Sequence, residues 1–349
     1  MQIFQMTANF STEDAIGNYI QTLDRIFQKS GFNTRIFSDI TFQNPHSSKY
    51  IPTGKDILWF HYSIYSDNLK YLEKSKDIKI MDFHGVTPYH LFRGYNAQLE
   101  QLCKKGSEML KVFSDHVDLC IVHSDYSRYI LEENGYKKII KLPLVVDLSR
   151  LSKIKDDETL APLLNKIKYM LFVGRIVPQK SIIDIVKVFY HLKQFQPNFK
   201  LFLVGDYGIS KEYTFEIMKL IKQFNLYDDV VLTGKLDDAG LTTIYKYANI
   251  FIVLSEWETF CVPLIEAMYY QVPSIGYNRT AIPETIGDAG ILVDKIDHME
   301  IARLINELLN DHRRYELLKL KCKERANNFT EAQLELQLPG ILKEVLEKK

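Results

Sequence analysis

The segment from Ala248 to Met268 constrains the fold more than any other stretch of this chain. It opens with ANIFIVLS, an apolar run rich in β-branched residues that predicts a buried strand of a parallel sheet. A loop follows, and then a helix that opens on Pro263, because proline fits a first helical turn, where its missing N–H group would have no partner. Loops after such strands lie at the carboxyl edge of a sheet, where open α/β folds bind ligands. The segment therefore predicts an α/β fold with a binding site in this loop.

Two carboxylates, Glu258 and Glu266, lie on either side of the predicted helix start. Backbone N–H groups of residues 260–264 can hold an anion such as a diphosphate at this helix N-terminus. Glu266, about one turn into the helix, can then accept hydrogen bonds from a diol such as a ribose, and Glu258 faces the other side of the phosphate. The alternative is that both acids are solvated side chains favoured there by the helix dipole alone.

Strand and helix patterns alternate along the whole chain, which implies parallel sheets. A chain of 349 residues exceeds what one hydrophobic core usually covers, so we expect two domains. The polar, charged run SRLSKIKDDETLAP, residues 149–162, reads as the linker between them. The predicted domains are residues 1–155 and 156–331.

Composition limits the classes of function. Hydrophobic residues at 46% and charged residues at 25% are ordinary for a soluble protein, and 44 basic residues balance 44 acidic ones, which argues against general nucleic-acid binding. The first 155 residues carry a small basic surplus, 20 against 17, that weakly favours an anionic membrane surface. Neither a signal sequence nor a long apolar run is present, so we expect a cytoplasmic protein. The four cysteines, which show neither a zinc-ligand spacing nor a disulfide framework, are Cys103, Cys120, Cys261 and Cys322.

Three residues in the first half are candidates on their position alone. His61 and His84 both stand where predicted strands end, which is where this architecture places ligand contacts, although an isolated histidine is more often structural. Gly17 lies where the first predicted loop meets its helix, and either a phosphate or a neighbouring segment can require a small residue there.

The central segment resembles the signature of the retaining glycosyltransferases of family 4, which reads Glu-Gly-Phe-Gly-x-x-x-x-Glu-Ala-Met. Thr259 and Cys261 replace the two customary glycines, and their side chains would narrow the pocket for the donor sugar. A second stretch, VGRIVPQKS, is similar to the family's Val-Gly-Arg-x-x-x-x-Lys-Gly, with Ser181 in place of the last glycine. HYSIYS and HGVTPYHLF are similar to stretches of family enzymes that build bacterial surface polysaccharides. Gln271 stands where glycine is usual before Val-Pro. The residues that match the central signature and the later Pro-Glu and Gly-Asp-Ala-Gly segments are Glu258, Phe260, Pro263, Glu266, Ala267, Met268, Pro283, Glu284, Gly287, Asp288, Ala289 and Gly290.

The resemblance implies the GT-B fold, two Rossmann-like domains with parallel sheets that face a central cleft, with a final helix of about residues 332–349 crossing back onto the first domain. It implies transfer of a sugar, with retention, from a nucleoside-diphosphate-sugar donor to a hydroxyl of a glycan or lipid-linked glycan, in surface-polysaccharide or glycolipid synthesis. Such acceptors imply peripheral contact with the inner membrane surface. No cofactor is implied, and without an Asp-x-Asp pair we expect no metal.

Each matching residue receives a role from the family. The catalytic group implied is Glu258, His84, Arg175 and Lys180: the two basic residues neutralise the diphosphate and its leaving charge, while Glu258 and His84 contact the donor sugar. Glu266 holds the ribose, and the loop with Lys235 and Leu236 reads the base. The expected nucleotide-sugar contacts are Gly17, Gly174, Arg175, Lys180, Gly205, Lys235, Leu236, Glu258, Thr259, Phe260, Cys261, Val262 and Glu266.

Two other classes of function are open at this point. A sugar-nucleotide epimerase on the same fold would also bind the nucleotide, but would release an altered donor without using an acceptor. A catalytically inactive GT-B subunit would usually have lost Lys180 or one of the two glutamates, and this chain has all three.

Overall fold

Two sheets, each of six parallel strands, form the framework of the protein. The structure is a computed structural model that describes residues 1–11, 14–41 and 44–346. The chain divides into one unit of residues 1–91, 98–146 and 329–349 and a second unit of residues 92–97 and 147–328. The predicted α/β class with two parallel sheets is confirmed.

The first unit contains a sheet in the order β2-β1-β3-β4-β5-β6. Because β1 lies between β2 and β3, the order of the chain reverses between β1 and β3, and open α/β sheets bind ligands at the carboxyl ends of the strands at such a point. The strands are β1 (Gln2–Asn9), β2 (Asn33–Ile40), β3 (Ile57–Tyr62), β4 (Ile78–Phe83), β5 (Leu119–Val122) and β6 (Ile139–Lys141).

The second unit contains a sheet in the order β12-β11-β10-β7-β8-β9, the arrangement of a Rossmann fold. The chain runs outward from β7 to β9 and then returns to the other side of β7, so β7 and β10 are neighbours at the point where the order reverses. The strands are β7 (Lys168–Val173), β8 (Phe199–Val204), β9 (Val230–Gly234), β10 (Ile250–Val253), β11 (Ser274–Tyr277) and β12 (Gly290–Val293).

Amphipathic helices cover the sheets. In α7, buried Ile182, Ile185, Val186 and Phe189 recur at the spacing of one helix face and join the core beneath the second sheet. The α-helices in chain order are α1 (Ala15–Lys29), α2 (Lys70–Lys74), α3 (Ala97–Val112), α4 (Asp125–Glu133), α5 (Leu148–Leu151), α6 (Ala161–Leu164), α7 (Ile182–Leu192), α8 (Lys211–Gln223), α9 (Asp238–Lys246), α10 (Val262–Tyr269), α11 (Ile282–Ile286), α12 (His298–Asn310), α13 (His312–Ala326) and α14 (Glu331–Leu346).

The division of the chain differs from the predicted boundary at residues 155 and 156. Residues 147–155 and 92–97 lie in the second unit. Residues 92–97 are held there because Asn96 donates a hydrogen bond to the Ile209 carbonyl and the Tyr95 ring packs edge-on against Tyr213. The predicted linker also contains the short helices α5 and α6.

The final helix differs from its prediction in one respect. The sequence LPGIL, residues 338–342, holds a proline and a glycine, which ordinarily interrupt a helix, but α14 continues through Pro339. The helix is held by tertiary packing, since Leu334, Leu338, Ile341 and Leu342 are all buried in a helical spacing, and packing of an apolar face outweighs local propensity. The last three residues of the predicted helix, 347–349, lie outside the described residues.

Gln271 closes α10 in a left-handed conformation, with φ of 58°. Its N–H group donates to Met268, and the next N–H group, of Val272, donates to Ala267, which is the hydrogen-bond pattern of a Schellman motif. The family's usual glycine before Val-Pro therefore has a conformational reason, and this chain places a side chain where glycine fits best.

We predict that Gln271→Gly stabilises the protein by about 1 kcal/mol. A side chain in the left-handed region costs about 1–2 kcal/mol, and glycine avoids this cost. Part of the gain is lost because glycine has more conformational freedom in the unfolded chain. Thermal unfolding should show a higher Tm. Gln223→Gly is the control, since Gln223 ends α8 without a positive φ and the same substitution should lower the Tm. A lower Tm for Gln271→Gly would contradict this account of the cap.

Candidate active site

The two strongest sequence motifs meet where the strand order of the second sheet reverses. The loop after β7 carries Arg175 and Lys180, and the loop after β10 carries Glu258. Lys180 Nζ lies 2.5 Å from Glu258 Oε1, and the two side chains are 16% and 9% exposed. The Glu256 N–H group also donates to the Gln179 carbonyl across the two loops, at 2.9 Å. The loops are therefore joined by a largely buried ion pair and a backbone hydrogen bond.

Glu258 is fixed from both sides of its backbone. Its N–H group donates to Thr280 Oγ1 at 3.0 Å, and its carbonyl accepts from the N–H group of Ala281 at 3.2 Å. Thr280, which precedes the Pro-Glu motif and adopts a φ of 53°, was not among the site residues predicted from the sequence. This support holds the Glu258 carboxylate at the carboxyl edge of the sheet.

Lys180 is positioned by a tight turn. Residues Pro178–Lys180 form a 3₁₀ turn that ends at Ser181, whose φ of 52° is left-handed, and α7 begins at the next residue. Ser181 occupies the position where the family usually has glycine, and the left-handed backbone explains that preference.

Arg175 differs from Lys180 in its surroundings. It is exposed and makes neither an ion pair nor a hydrogen bond with the residues that the structure describes. The N–H group of the next residue, Ile176, donates to the Asp206 carbonyl, which anchors the loop while the guanidinium extends into solvent. An exposed guanidinium is available to form two parallel hydrogen bonds to a phosphate.

Three glycines line the ends of neighbouring strands. Gly174 donates to the Val204 carbonyl, and Gly205 donates to the Gly234 carbonyl, so the ends of β7, β8 and β9 are hydrogen-bonded to one another. A Cβ atom at Gly205 would lie 2.0 Å from the Gly174 carbonyl oxygen, and φ is 141° there. Gly174 and Gly205 are therefore close-packed backbone at this edge of the sheet.

Glu266 lies in a different environment from Glu258. It is partly buried on α10, and the Tyr245 hydroxyl lies 2.9 Å from its Oε2. Burial raises the pKa of Glu266 to about 7, although the Tyr245 hydrogen bond and the charge of Arg150 oppose the rise. Tyr245 is itself buried, and the Tyr270 ring stacks on it at 5.6 Å. Glu266 is thus a carboxyl group that titrates near neutral pH.

The residues between the two glutamates are more enclosed than expected. Thr259 and Cys261 are buried, whereas Phe260 and Val262 are partly exposed. Burial, together with the charge of Glu258, raises the pKa of the Cys261 thiol to about 12. The N–H group of Leu264, which we expected to hold an anion, instead donates to the Cys261 carbonyl.

Three other residues that were expected to contact the nucleotide sugar, Gly17, Lys235 and Leu236, lie in different surroundings. Lys235 is exposed and Leu236 is partly buried in the loop after β9. In the first unit, Gly17 has a packing role, since a Cβ atom there would lie 1.6 Å from the Ser11 carbonyl oxygen. The Gly17 N–H group also donates a hydrogen bond to Asp14 Oδ1, the N-cap side chain of α1, at 2.7 Å.

A buried cluster of histidines lies at the carboxyl ends of β3, β4 and β5 in the first unit. His61 ends β3 beside Asp82 of β4, while His84 and His123 follow β4 and β5. His61 Nδ1 lies 2.9 Å from His84 Nε2, and His123 Nε2 lies 2.9 Å from Asp82 Oδ1. Trp59 Nε1 donates to Asp82 Oδ2 at 2.8 Å.

Burial controls the charges in this cluster. It lowers the pKa of His61 to about 3 and that of His84 well below its usual value, so both are neutral at neutral pH. Burial alone would raise the pKa of Asp82, but the charge of His123 and the hydrogen bonds to Asp82 lower it, so Asp82 is ionised. His61 and His84 were predicted from the sequence, whereas Asp82 and His123 were not. The sequence signals for these two were a charged residue inside an apolar strand and a third histidine at a strand exit.

The same cluster contains a group of possible metal ligands that the sequence did not predict. His61, Asp82 and His84 each offer one ligand atom, all within 4.8 Å of one another. Two imidazoles and a carboxylate are a donor set that zinc accepts.

The helices of the structure give a further finding on membranes. Among the described residues, none of the helices combines the length and the apolar character that crossing a bilayer requires.

Comparison with known proteins identifies the family. The model of the glycosyl transferases group 1 family matches residues 157–329, and this segment belongs to that family. The chain is 27% identical over 163 residues to O-antigen chain mannosyltransferase B of Escherichia coli, an overlap of 46% of this chain and 42% of that protein. It spans between 22% and 42% of the length of the first curated relatives that it matches.

Two solved structures share the fold over the whole chain. Sucrose-phosphate synthase from Thermosynechococcus elongatus superposes with a TM-score of 0.80 at 18% identity, covering 100% of both chains. Anabaena HepE in complex with UDP and glucose superposes with a TM-score of 0.77 at 15% identity, covering 99% of this chain and 100% of that one. At these identities the likeness establishes the fold.

We predict that Glu266→Gln stabilises the protein at alkaline pH only. The raised pKa means that stability contributed by the protonated carboxyl is complete below about pH 4.5 and is lost as the pH rises through 7. Glutamine never ionises, so the variant should be more stable than the unchanged protein at pH 8.5, by up to about 3 kcal/mol, and similar to it at pH 5.

Thermal unfolding at the two pH values measures this difference. Glu256→Gln, at an exposed glutamate of the same loop, is the control and should shift the Tm little at either pH. An equal shift of the Glu266 variant at pH 5 and pH 8.5 would show that burial does not raise this pKa.

Proposed function

We propose that the protein transfers a sugar from a nucleoside-diphosphate-sugar donor to a hydroxyl acceptor, with retention of configuration and without a metal or other cofactor. The observation that carries the proposal is the Lys180–Glu258 ion pair at the reversal point of the second sheet. It brings the lysine that we assign to the phosphate and a carboxylate of the family signature into contact, with both side chains largely buried.

The proposed roles follow from the surroundings of each residue. Arg175 is exposed without a partner among the described residues, so it is available to the diphosphate, and Lys180 can exchange Glu258 for a phosphate oxygen. Stabilising the charge that builds on the leaving diphosphate lowers the barrier to breaking the sugar–phosphate bond. Glu258, released from Lys180, then contacts the transferred sugar.

Glu266 is proposed to hold the ribose. Its carboxylate accepts hydrogen bonds from hydroxyls, and Tyr245 fixes one of its oxygens. Because its pKa is about 7, the carboxylate form increases from pH 6 to pH 8, and nucleotide affinity should rise over the same range. His84 is proposed to contact a hydroxyl of a substrate sugar at the carboxyl edge of the first sheet.

The acceptor is proposed to be a glycan or a lipid-linked glycan of a surface polysaccharide, in peripheral contact with the inner membrane surface. The support is the name of the O-antigen chain mannosyltransferase and the small basic surplus of the first 155 residues. An assay that offers each donor with both a soluble sugar and a lipid-linked glycan tests this part. Use of the soluble sugar alone would contradict it.

The second candidate is a sugar-nucleotide epimerase, which the same nucleotide site would serve. Mass spectrometry and chromatography of the products distinguish the two reactions. An altered donor formed without any acceptor supports the epimerase, and a glycosylated acceptor with free diphosphate supports the transferase. If neither product forms with any of the donors, the result supports an inactive subunit.

We predict that alanine at the two glutamates gives different defects. Glu266→Ala removes a ribose contact made in both the ground and transition states, so affinity should fall for the sugar nucleotide and for the bare diphosphate together. Glu258→Ala should leave binding of the bare diphosphate nearly unchanged while turnover falls by about 10² or more, the scale of a lost transition-state contact.

Isothermal titration in EDTA gives the diphosphate affinity of each of the two variants, and single-turnover experiments give the rate of each. UDP, GDP and ADP are titrated first, and the tightest binder is used throughout. Small and equal effects of both variants would mean that the two acids are only helix-start residues. A requirement for magnesium or manganese in the titration would contradict the proposed independence from metal.

A further inference from the structure

The buried cluster of the first unit contains a directed chain of hydrogen bonds from Gln5 through His61 to His84. Gln5 lies in the middle of β1, His61 is the penultimate residue of β3 and His84 follows β4, so the hydrogen bonds run from the interior of the sheet toward its carboxyl edge, beside the reversal point. All three side chains are buried. Each link has a donor and an acceptor, and the structure determines which is which.

The direction is set at Gln5. Its Nε2 donates to the Ile20 carbonyl at 3.2 Å and to Asp24 Oδ1 at 3.3 Å, two groups that can only accept. The amide oxygen therefore faces His61 Nε2, at 3.1 Å. An amide oxygen can only accept, so His61 carries its proton on Nε2.

The direction passes from His61 to His84. Neutral His61 with a proton on Nε2 has a lone pair on Nδ1, and the atom that faces it, at 2.9 Å, is His84 Nε2. The two ring centroids are 5.2 Å apart and the planes differ by 21°, so the two nitrogens lie between the rings and face each other. His84 must therefore donate from Nε2, which in a neutral imidazole leaves the lone pair on Nδ1.

Asp82 does not interrupt this chain. Its two oxygens are engaged by His123 Nε2 at 2.9 Å and by Trp59 Nε1 at 2.8 Å, and they lie 3.7 Å from His84 Nε2 and 3.8 Å from His61 Nδ1. His123 Nδ1 faces the Leu142 carbonyl at 2.8 Å. The buried carboxylate thus pairs with His123 and leaves His61 and His84 to bond with each other.

We propose that Gln5 and His61 are positioning residues that hold His84 as the tautomer with its proton on Nε2, so that the lone pair lies on the buried Nδ1, which can accept a hydrogen bond from a sugar hydroxyl that reaches it. The part that concerns substrate rests on the proposed function. Such a histidine selects a hydroxyl that can donate, whereas the opposite tautomer would present an N–H group and select an acceptor.

A bound metal is the competing arrangement. It would require His61 Nδ1 and His84 Nε2 both to be unprotonated and directed at a third point. Two nitrogens that face each other at 2.9 Å instead leave room for one shared proton.

Nitrogen NMR of the full chain tests the tautomer directly. Long-range ¹H–¹⁵N correlation of ¹⁵N-histidine-labelled protein at neutral pH separates protonated from unprotonated ring nitrogens, and His61→Asn and His84→Asn assign the signals. We expect both residues protonated on Nε2 alone, before and after EDTA. A proton on His84 Nδ1, a doubly protonated His84, or a change of ring-nitrogen state on adding EDTA would overturn the proposal.

Variants test the direction of the chain. Gln5→Met removes the acceptor, so a second tautomer should appear at His61 and His84. His61→Asn keeps an acceptor oxygen near the position of Nδ1 and should retain the His84 tautomer, whereas His61→Leu should not. The matched control is Asn68→Leu. Asn68 is a buried polar residue that donates to the Thr7 carbonyl and takes no part in the Gln5–His61–His84 hydrogen bonds, so this variant should retain the His84 tautomer. An unchanged His84 tautomer in Gln5→Met and His61→Leu would overturn the positioning role.

Kinetics then separate this proposal from the proposed function. With a donor that the unchanged protein uses, Gln5→Met should lower kcat by about tenfold, the scale of one hydrogen bond to substrate, with little change in the donor KM, and His61→Asn should restore most of the rate relative to His61→Leu. If none of the donors is used while the expected tautomer is observed, the proposed function fails and the tautomer assignment stands. Normal kcat in a Gln5→Met protein of altered tautomer would overturn the catalytic consequence.

Discussion

The contact between Lys180 and Glu258 is the interaction on which the site in the second unit depends. Its two charges lie 2.5 Å apart and are largely removed from water, so each is tolerated because the other is present. Removing one partner of a buried pair typically costs about 3–5 kcal/mol, because the remaining charge loses its counterion. The pair therefore fixes the loops after β7 and β10 relative to each other before any ligand binds. In the proposed reaction, an arriving diphosphate takes the place of Glu258 on this ammonium group.

Glu266, the residue proposed to hold the ribose, has a cost in stability. A carboxyl group whose pKa is near 7 is partly protonated at neutral pH, and ionising it in this environment opposes folding. Tyr245 reduces that cost by a hydrogen bond while leaving the carboxyl as an acceptor. Polar groups that are costly to bury and are retained at one sheet edge are typical of functional sites. The two glutamates, eight residues apart, thus differ in their electrostatics because one has a cationic partner and the other has a phenol.

Sequence patterns predicted the parallel sheets and the loops that carry the two motifs, because buried parallel strands and glycine exits are local signals. The departures from the family's glycines were informative as well, since Ser181 and Gln271 both adopt left-handed backbone. Long-range partners could not be predicted. Tyr245 reaches Glu266 only through the packing of α9 on α10, and His123 reaches Asp82 only through the register of β4 and β5. Local helix propensity also gave the wrong expectation at Pro339. Proline usually interrupts a helix, but burial of Leu338 and Ile341 sustains α14 there.

The central claim is that Lys180 is held by Glu258 until a diphosphate replaces that carboxylate. Isothermal titration of the tightest-binding nucleoside diphosphate in EDTA, across the unchanged protein, Lys180→Met, Glu258→Gln and the double variant, tests it most directly. Lys180→Met should weaken binding by about tenfold or more, as expected for a lost charged hydrogen bond, whereas Glu258→Gln should leave it unchanged or tighter because the lysine is released. The double variant should bind like Lys180→Met. Equal affinity of Lys180→Met and the unchanged protein would contradict the account.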